Sequence, residues 1–283
     1  MKKKIKNKNI KLLFSNFKTH RPGSVKYKKL KEYFIDYFKD HSIKKKSNLY
    51  LEFIGKFTLP FYKMGNINSS HLLGIDEIII FIFYFLRKKK FKNVSDLGAN
   101  IGMHSIILGK LGFNVKAYEP DQEHAKQFKK NIALNKLNNN VKLFRKAVDT
   151  KKGEVTFTKI LNNTTGSFIK KAKSNTYGPV KKYKVKTEKF KDILKWSDMI
   201  KMDVEGLEAE LIKTVNSKNL ASKEIILEVG SKNNAKNIFK YSKKNNYNLF
   251  SQKKGWKKVK NISDMPHSYK DGSLIITNEN III

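Results

Sequence analysis

The chain has 283 residues, with 60 lysines and arginines against 24 aspartates and glutamates, which gives a formal net charge of +36. It contains no cysteine, which excludes disulfide bonds and thiolate metal sites. Its six histidines form no closely spaced pair of the kind that binds zinc, so we expect no metal site. A hydrophobic content of 40% argues against disorder, and the length predicts one main domain with an appended segment.

The strong positive charge is typical of nucleic-acid-binding proteins, but the chain has only three arginines, Arg21, Arg87 and Arg145. Recognition of phosphates and bases favours arginine, because its guanidinium group presents a fork of donors. An A/T-rich genome is a sufficient explanation for the abundance of lysine, asparagine and isoleucine. We therefore expect no dedicated nucleic-acid site, although the field of the chain attracts polyanions whatever its origin.

The N-terminal part of the chain is especially basic, with 16 lysines and arginines against three acids in the first 50 residues. Five apolar residues there recur at helical spacing: Leu30, Tyr33, Phe34, Tyr37 and Phe38. Such a helix face docks on a protein domain more often than on a membrane. We predict a basic extension of one helix and short strands over residues 1–70, docked on a main domain of residues 71–283.

The longest apolar run, Ile78–Leu86, has nine residues. A membrane span needs about 20 residues, and no secretory signal is recognisable, so we expect a soluble, cytoplasmic protein without a membrane span. β-Branched and aromatic residues in this run are compatible with a buried strand or a buried helix. Its position before the first strand of the sheet favours a helix, with Asp76 as its N-cap.

The central motif of the chain is Val94–Ser105, with the sequence VSDLGANIGMHS. A short strand (93–97) is followed by a glycine-containing turn and by a helix (101–111), the start of a nucleotide-binding βαβ unit. Gly98 lets the backbone turn tightly, and the following helix offers unpaired N–H groups to a ligand. The next strand (114–118) ends at Glu119, where a carboxylate is placed to accept hydrogen bonds from a ribose diol.

The identity of the nucleotide follows from the residues around the turn. A dinucleotide fingerprint would have glycine at positions 100 and 103, where this chain has Asn100 and Met103. Asp96 near the turn would repel a pyrophosphate and attract a cation. S-Adenosylmethionine carries a sulfonium and an ammonium group, so the acidic turn favours this cofactor. An ordinary βα turn, with glycine for geometry only, is the alternative.

Acidic residues stand at the ends of the five predicted parallel strands (93–97, 114–118, 141–148, 199–203 and 224–229). These residues are Asp96, Glu119, Asp149, Asp203 and Glu228. Ligands of parallel sheets bind outside the carboxyl ends of the strands. Because a buried carboxylate without a partner costs free energy, we expect some of these acids to meet a ligand, a crevice or a lysine.

Three motifs resemble the FkbM-type branch of the class I S-adenosylmethionine-dependent methyltransferases. They are DLGANIGMHS (96–105), AYEPD (117–121) and IKMDVEGLE (200–208), and the resemblance extends over about residues 75–277. It implies a Rossmann-like α/β fold with a seven-stranded, mostly parallel sheet and helices on both faces. It also implies S-adenosyl-L-methionine as cofactor and methyl transfer, usually to oxygen.

By this resemblance, the glycine turn binds the methionine part of the cofactor, Glu119 the ribose, and Val148 with Asp149 the adenine. His104 points either at the cofactor or into the core. The predicted cofactor-binding residues are Asp96, Gly98, Ala99, Asn100, Gly102, His104, Glu119, Pro120, Val148, Asp149 and Asp203. Two loops are candidates for contact with the acceptor, residues 162–167 and residues 253–271, the latter with Trp256, Met265, Pro266, His267 and Tyr269.

The predicted catalytic residues are Asp203, which orients or deprotonates the acceptor, Glu205 beside it, and Glu228 as a further site acid. The acids of the DVEG motif are equally typical of a helix N-terminus, and Glu228 of a structural ion pair. DVEG in place of an NPPY-like motif argues against methylation of nucleobase amines. We therefore predict O-methylation of a small-molecule or glycan hydroxyl. A non-catalytic nucleoside-binding or polyanion-binding module is the alternative, and a dehydrogenase is disfavoured by Asn100 and Met103.

Overall fold

The computed structural model describes residues 7–39, 48–169, 172 and 178–280. The helices of these residues are α1 (Asn7–Ser15), α2 (Val25–Lys39), α3 (Ile75–Arg87), α4 (Met103–Lys110), α5 (Gln122–Leu134), α6 (Phe190–Trp196), α7 (Glu208–Ile212), α8 (Ser217–Leu220) and α9 (Lys232–Lys244). The strands are β1 (Asn48–Leu51), β2 (Gly55–Thr58), β3 (Lys63–Met64), β4 (Ile67–Asn68), β5 (Asn93–Leu97), β6 (Asn114–Tyr118), β7 (Val141–Phe144), β8 (Ala147–Asp149), β9 (Gly153–Ile160), β10 (Phe168–Ile169), β11 (Val180–Lys189), β12 (Met199–Met202), β13 (Glu224–Glu228), β14 (Asn248–Ser251), β15 (Lys257–Lys258) and β16 (Ser273–Thr277).

The main sheet has eight strands in the order β15-β14-β16-β13-β12-β5-β6-β7. Strands β5, β6, β7, β12 and β13 are parallel, whereas β16 is antiparallel to both β13 and β14. The Rossmann-like α/β class with a mostly parallel sheet is thus confirmed. The predicted number of seven strands is wrong by one, because the two residues of β15 pair with the free side of β14.

The register of the parallel strands aligns their carboxyl ends. Leu97 pairs with Tyr118 on one side and with Met202 on the other, and Met202 pairs with Leu227. The residues that follow these four positions therefore share one edge of the sheet: Gly98, Glu119, Asp203 and Glu228. This edge is where ligands of parallel sheets bind.

The predicted third strand (141–148) is two strands in the structure. β7 ends at Phe144, the chain turns with the Lys146 N–H donating to the Phe144 carbonyl (2.9 Å), and β8 begins at Ala147. β8 belongs to a second, four-stranded sheet with the order β10-β9-β11-β8. Asp149 consequently lies at the end of a strand of this second sheet, not at the edge that carries Glu119.

Alternating residues of the main sheet enter two hydrophobic clusters, one on each face. Val94, Met199 and Ile226 pack with α3, α4 and α5, whereas Ile200 and Ile225 pack with α6, α7 and α9. Such alternation is expected where successive side chains of a strand point to opposite faces. Both faces of the sheet are therefore covered, which leaves its carboxyl edge as the place for a site.

The apolar run before β5 forms the helix α3, in agreement with the prediction, and is buried along most of its length. Asp76 is not its N-cap, because Gly74 occupies that position and Asp76 lies in the first turn. The Asp76 carboxylate instead accepts hydrogen bonds from the Tyr27 hydroxyl (2.7 Å) and from Gln252 Nε2 (2.8 Å). It thus ties the N-terminal segment to the loop that follows β14.

The described part of the N-terminal extension packs against α3 and the loop after β14. Leu30, Phe34 and Phe38 of α2 are buried in the same hydrophobic cluster as α3. Trp256 Nε1 donates to His20 Nδ1 (2.9 Å), which joins this segment to the loop after β14. The predicted boundary at residue 70 stays a prediction. Within the described ranges, no helix combines the length and the apolar character needed to cross a bilayer.

Candidate functional site

A cavity of about 380 Å³ opens at the carboxyl edge of β5, β6 and β12. Its volume falls within the range of about 300–1,000 Å³ that is common for small-molecule sites. One end is lined by apolar side chains, Val148 of β8 with Phe157 and Ile169 of the second sheet. The other end is lined by acids, among them Asp203 and Glu228, so the two ends of the cavity differ in chemistry.

The glycine turn after β5 adopts its shape because of backbone geometry. Gly98 has φ +73°, and a Cβ atom there would lie 1.8 Å from the Asp203 carbonyl oxygen. A glycine is therefore needed for β5 and β12 to approach each other at the cavity. Asn100 has φ +52°, a left-handed conformation that asparagine tolerates. Gly102 also has a positive φ, but its Cα faces the Phe128 ring, where a Cβ would clash.

Glu119 lies on the cavity wall at the end of β6. Its carboxylate accepts hydrogen bonds from the backbone N–H groups of Asn100 (2.8 Å) and Asp121 (2.7 Å). Burial raises the pKa of Glu119 to about 7, although the two backbone hydrogen bonds act in the opposite direction. These two bonds fix the carboxylate between the glycine turn and the loop before α5.

Lys201 of β12 lies between two of the acids. Its Nζ atom is 3.5 Å from Asp96 Oδ1 and 3.8 Å from Asp203 Oδ2, and it donates to the Gly98 carbonyl (3.4 Å). Burial opposes the charged form, but the carboxylates of Asp96 and Asp203 outweigh it and raise the pKa of Lys201 well above its usual value. Asp96 is fully buried and also accepts a hydrogen bond from Ser105 Oγ (2.7 Å), so its carboxylate contacts other protein groups and does not line the cavity.

The loop after β12 is held by Glu208, at the first position of α7. Its Oε1 accepts from the backbone N–H groups of Val204 (3.1 Å) and Gly206 (3.2 Å), and its Oε2 accepts from Asn234 Nδ2. Glu205 has φ +56°, an unusual conformation for a glutamate that this network of bonds maintains.

His104 connects the cavity to α3. Its Nε2 lies 2.9 Å from Glu77 Oε2, and its Nδ1 is hydrogen-bonded to the Tyr84 hydroxyl (3.0 Å). One neutral tautomer, with the proton on Nε2, satisfies both contacts. His104 and Glu77 both line the cavity, so His104 is packed against α3 and exposed to the cavity at the same time.

The predicted site residues separate into two groups in the structure. Those that line the cavity are Gly98, Ala99, Asn100, His104, Glu119, Pro120, Val148, Asp203, Glu205 and Glu228. Asp96, Gly102 and Asp149 lie behind its wall: Asp96 pairs with Lys201, Gly102 packs on Phe128, and Asp149 accepts from the Thr150 N–H (2.6 Å). The roles assigned to these thirteen residues stay predictions.

Several cavity residues are not among the predicted ones. Lys201 stands two residues before Asp203, which places both side chains on one face of the strand, and this spacing is a signal that the sequence contained. His124 also lines the cavity and is buried, with Nε2 hydrogen-bonded to Thr164 Oγ1 (2.8 Å). Burial lowers the pKa of His124 to about 4, so it is neutral at pH 7.

The two loops predicted to contact an acceptor contribute unequally. Thr164, Thr165 and Ser167 of the loop 162–167 line the cavity. From the loop 253–271, the lining contains Tyr269, whereas Trp256 is buried against Phe83. Within the described residues, no group of three or more histidines, aspartates or glutamates is arranged to hold a metal ion.

The strand order, with the antiparallel β16 between β13 and β14, and the cavity over β5 and β6 define the class I methyltransferase fold. The chain belongs to the family described as the methyltransferase FkbM domain, whose sequence model matches residues 96–249.

Several solved structures are similar to this chain at low sequence identity. StiE O-MT residues 942–1257 are 16% identical, with a TM-score of 0.36, over 59% of this chain and 50% of that one. This chain therefore spans about half the length of that structure. An O-methyltransferase from Bacillus cereus in complex with SAH is 12% identical, with a TM-score of 0.38, over 70% of this chain and 79% of that one. A SAM-dependent methyltransferase from Agrobacterium tumefaciens is 10% identical, with a TM-score of 0.44, over 84% and 71%. No curated protein matches the sequence.

Proposed function

We propose that the protein transfers the methyl group of S-adenosyl-L-methionine to a hydroxyl group of a sugar, a glycan or another small metabolite. The observation that carries this proposal is the position of Glu119, a buried carboxylate on the cavity wall at the end of the second strand of a βαβ unit. A carboxylate at this position is suited to accept hydrogen bonds from a ribose diol. Membership of the FkbM family supports methyl transfer.

The residues of the cavity fit the parts of this cofactor. Val148 and Phe157 would face the adenine, Glu119 the ribose, and the turn Gly98–Asn100 the methionine part. Asp203, whose side chain is 35% exposed, lies next to the turn and favours a nearby positive charge. When bound, the cofactor would supply an electrophilic methyl group on a sulfonium.

The protein's own contribution is then to position the acceptor and to handle its proton. Asp203 is the residue we propose to orient or deprotonate the acceptor hydroxyl, and Lys201 holds its carboxylate in place. Glu205 and Glu228 line the same end of the cavity and would act beside it. Tyr269 borders this end of the cavity and would limit access of water.

The proposal is tested by replacing Glu119 with glutamine, which removes the charge and keeps the shape. We expect the affinity for S-adenosylmethionine, measured by calorimetry, to fall about ten-fold or more, since a charged hydrogen bond contributes roughly 1.5–3 kcal/mol. Glu154→Gln, an exposed acid of β9, serves as the control and is expected to bind like the wild type. Equal affinities for all three proteins would reject the ribose assignment, and no binding by the wild type would reject the proposed cofactor.

The pKa of Glu119 also predicts a pH dependence of cofactor binding. Because its pKa is about 7, the carboxyl is mostly ionised at pH 8 and mostly protonated at pH 6. If the ionised form accepts the ribose hydroxyls, the affinity for S-adenosylhomocysteine falls about ten-fold from pH 8 to pH 6. Glu119→Gln is expected to show a flat profile over this range in the same calorimetric titration. A wild-type profile as flat as that of the variant would contradict the prediction.

A further inference from the structure

The acidic end of the cavity continues into a smaller lobe of about 70 Å³ between the ends of β12, β13 and α3. Four carboxylates line this lobe, those of Asp76, Glu77, Asp203 and Glu228, and Lys201 is the only lysine or arginine among its described lining residues. In the whole chain, lysines and arginines outnumber acids by 60 to 24. The acidity of the lobe is therefore the reverse of what composition alone would produce.

The hydrogen bonds and ion pairs around the lobe provide fewer positive charges than the lobe has carboxylates. Asp76 is bonded by the neutral groups of Tyr27 and Gln252, and Glu77 by His104, for which a neutral tautomer suffices. The single ammonium group of Lys201 is divided between Asp96 and Asp203. Its ion-pair contacts are thus with these two acids, and it acts on Glu228 only from a greater distance.

Glu228 is the carboxylate of the lobe that these hydrogen bonds and ion pairs do not include. Among the described residues, its side chain has no hydrogen-bond or ion-pair partner, and it faces both the main cavity and the lobe. Burial, together with the charges of Asp203, Glu205 and Glu77, raises the pKa of Glu228 well above its usual value, and the charge of Lys201 opposes this shift only in part. Glu228 is half-buried, and a carboxylate that is partly withdrawn from water without a partner costs free energy that a cation placed beside it would reduce.

The position of Glu228 separates it from the proposed cofactor site. It stands at the end of β13, two strands from β5 and three from β6. With about 4.8 Å between neighbouring strands, this places it about 10 Å from the glycine turn and about 14 Å from Glu119 along the sheet. The lobe thus lies on the side of Asp203 away from the ribose and adenine contacts, where an acceptor would enter.

We propose that this lobe binds a protonated amino group of the acceptor, with Glu228 as its ion-pair partner. The inference rests on the proposed methyltransferase function and narrows its substrate class to hydroxyl compounds that carry an amine, such as amino alcohols and amino sugars. The amine is the recognised group, and the hydroxyl beside Asp203 receives the methyl group. Acceptors with a carboxylate or phosphate at the corresponding position are excluded by like-charge repulsion.

The test uses three small probes that differ in charge, namely ethanolamine, ethylene glycol and glycolate. Each is titrated at pH 8 into the full chain saturated with S-adenosylhomocysteine, and binding is followed by ligand-observed NMR. We expect ethanolamine to bind about ten-fold or more tightly than ethylene glycol, and glycolate not to bind. Glu228→Gln should remove the preference for ethanolamine, whereas Glu210→Gln, which changes an exposed acid of α7, should retain it.

Several outcomes would overturn the inference. Equal binding of the three probes, no binding of ethanolamine, or an unchanged preference in Glu228→Gln each contradict it. A second titration uses the complex with sinefungin, in which an amine-bearing carbon replaces the sulfonium sulfur. If ethanolamine binds the S-adenosylhomocysteine complex but not the sinefungin complex, the acidic lobe compensates the positive charge at the sulfonium position of the cofactor. The lobe would then not bind an amine of the acceptor, and the inference would be wrong. Failure of the chain to bind S-adenosylhomocysteine is a different result, since it rejects the proposed function itself.

Discussion

Asp203→Asn is expected to retain cofactor binding and to lose methyl transfer by about 100-fold or more, the lower range for loss of a general base. Asparagine keeps the size of the side chain but cannot accept a proton from a hydroxyl group. Lys201 retains its contact with Asp96 in this variant, so the ammonium group is not left without a counterion. The measurement is incorporation of label from methyl-labelled S-adenosylmethionine into an extract of host glycans and lipids, with cofactor affinity determined in parallel.

Asp192→Asn is the matched control, because Asp192 is a partly exposed acid of α6 that does not line the cavity. It should transfer label like the wild type. Unchanged transfer by Asp203→Asn would remove this residue from catalysis. Loss of cofactor binding in Asp203→Asn would instead make Asp203 a cofactor ligand. The compound that becomes labelled by the wild type also identifies the acceptor, and an amine in that compound would agree with the role inferred for Glu228.

The parts of the site that could be predicted from the sequence are those set by residues close together in the chain. The turn at Gly98 and the strand end at Glu119 belong to one βαβ unit, and strand periodicity fixes which residues reach its edge. Asp203 and Glu228 were also predicted at that edge, because parallel strands of similar length align their carboxyl ends. The register of the sheet places all four at the same level.

The parts that sequence patterns did not reveal depend on contacts between distant segments. Nothing local indicates that the chain leaves the main sheet after Phe144, which moves Asp149 into the second sheet. Trp256 was predicted near the acceptor, but its indole donates to His20, 236 residues earlier in the chain. Lys201 is one of many lysines in this chain, and only its spacing from Asp203 distinguishes it.

Replacing Lys201 with methionine is expected to destabilise the protein by about 3–5 kcal/mol, the usual cost of removing one partner from a buried ion pair. The change leaves Asp96, which is fully buried, without a cation, and it removes the donor to the Gly98 carbonyl. The raised pKa of Lys201 means that its contribution is fully present below its unfolded pKa of about 10.4 and is lost only as the pH rises through its folded pKa. Urea unfolding at pH 7 therefore measures the whole effect.

The reason for this instability can be separated from a simple loss of packing by a second substitution. If the unpaired charge of Asp96 is responsible, the double variant Lys201→Met, Asp96→Asn should recover much of the lost free energy, because both charges are then absent. Lys213→Met, which breaks the exposed pair with Glu210, should change stability by less than about 1 kcal/mol. A loss in Lys201→Met as small as that of Lys213→Met would mean that the pair does not hold the ends of β5 and β12 together. Recovery in the double variant would show that Lys201 stabilises this edge by its charge.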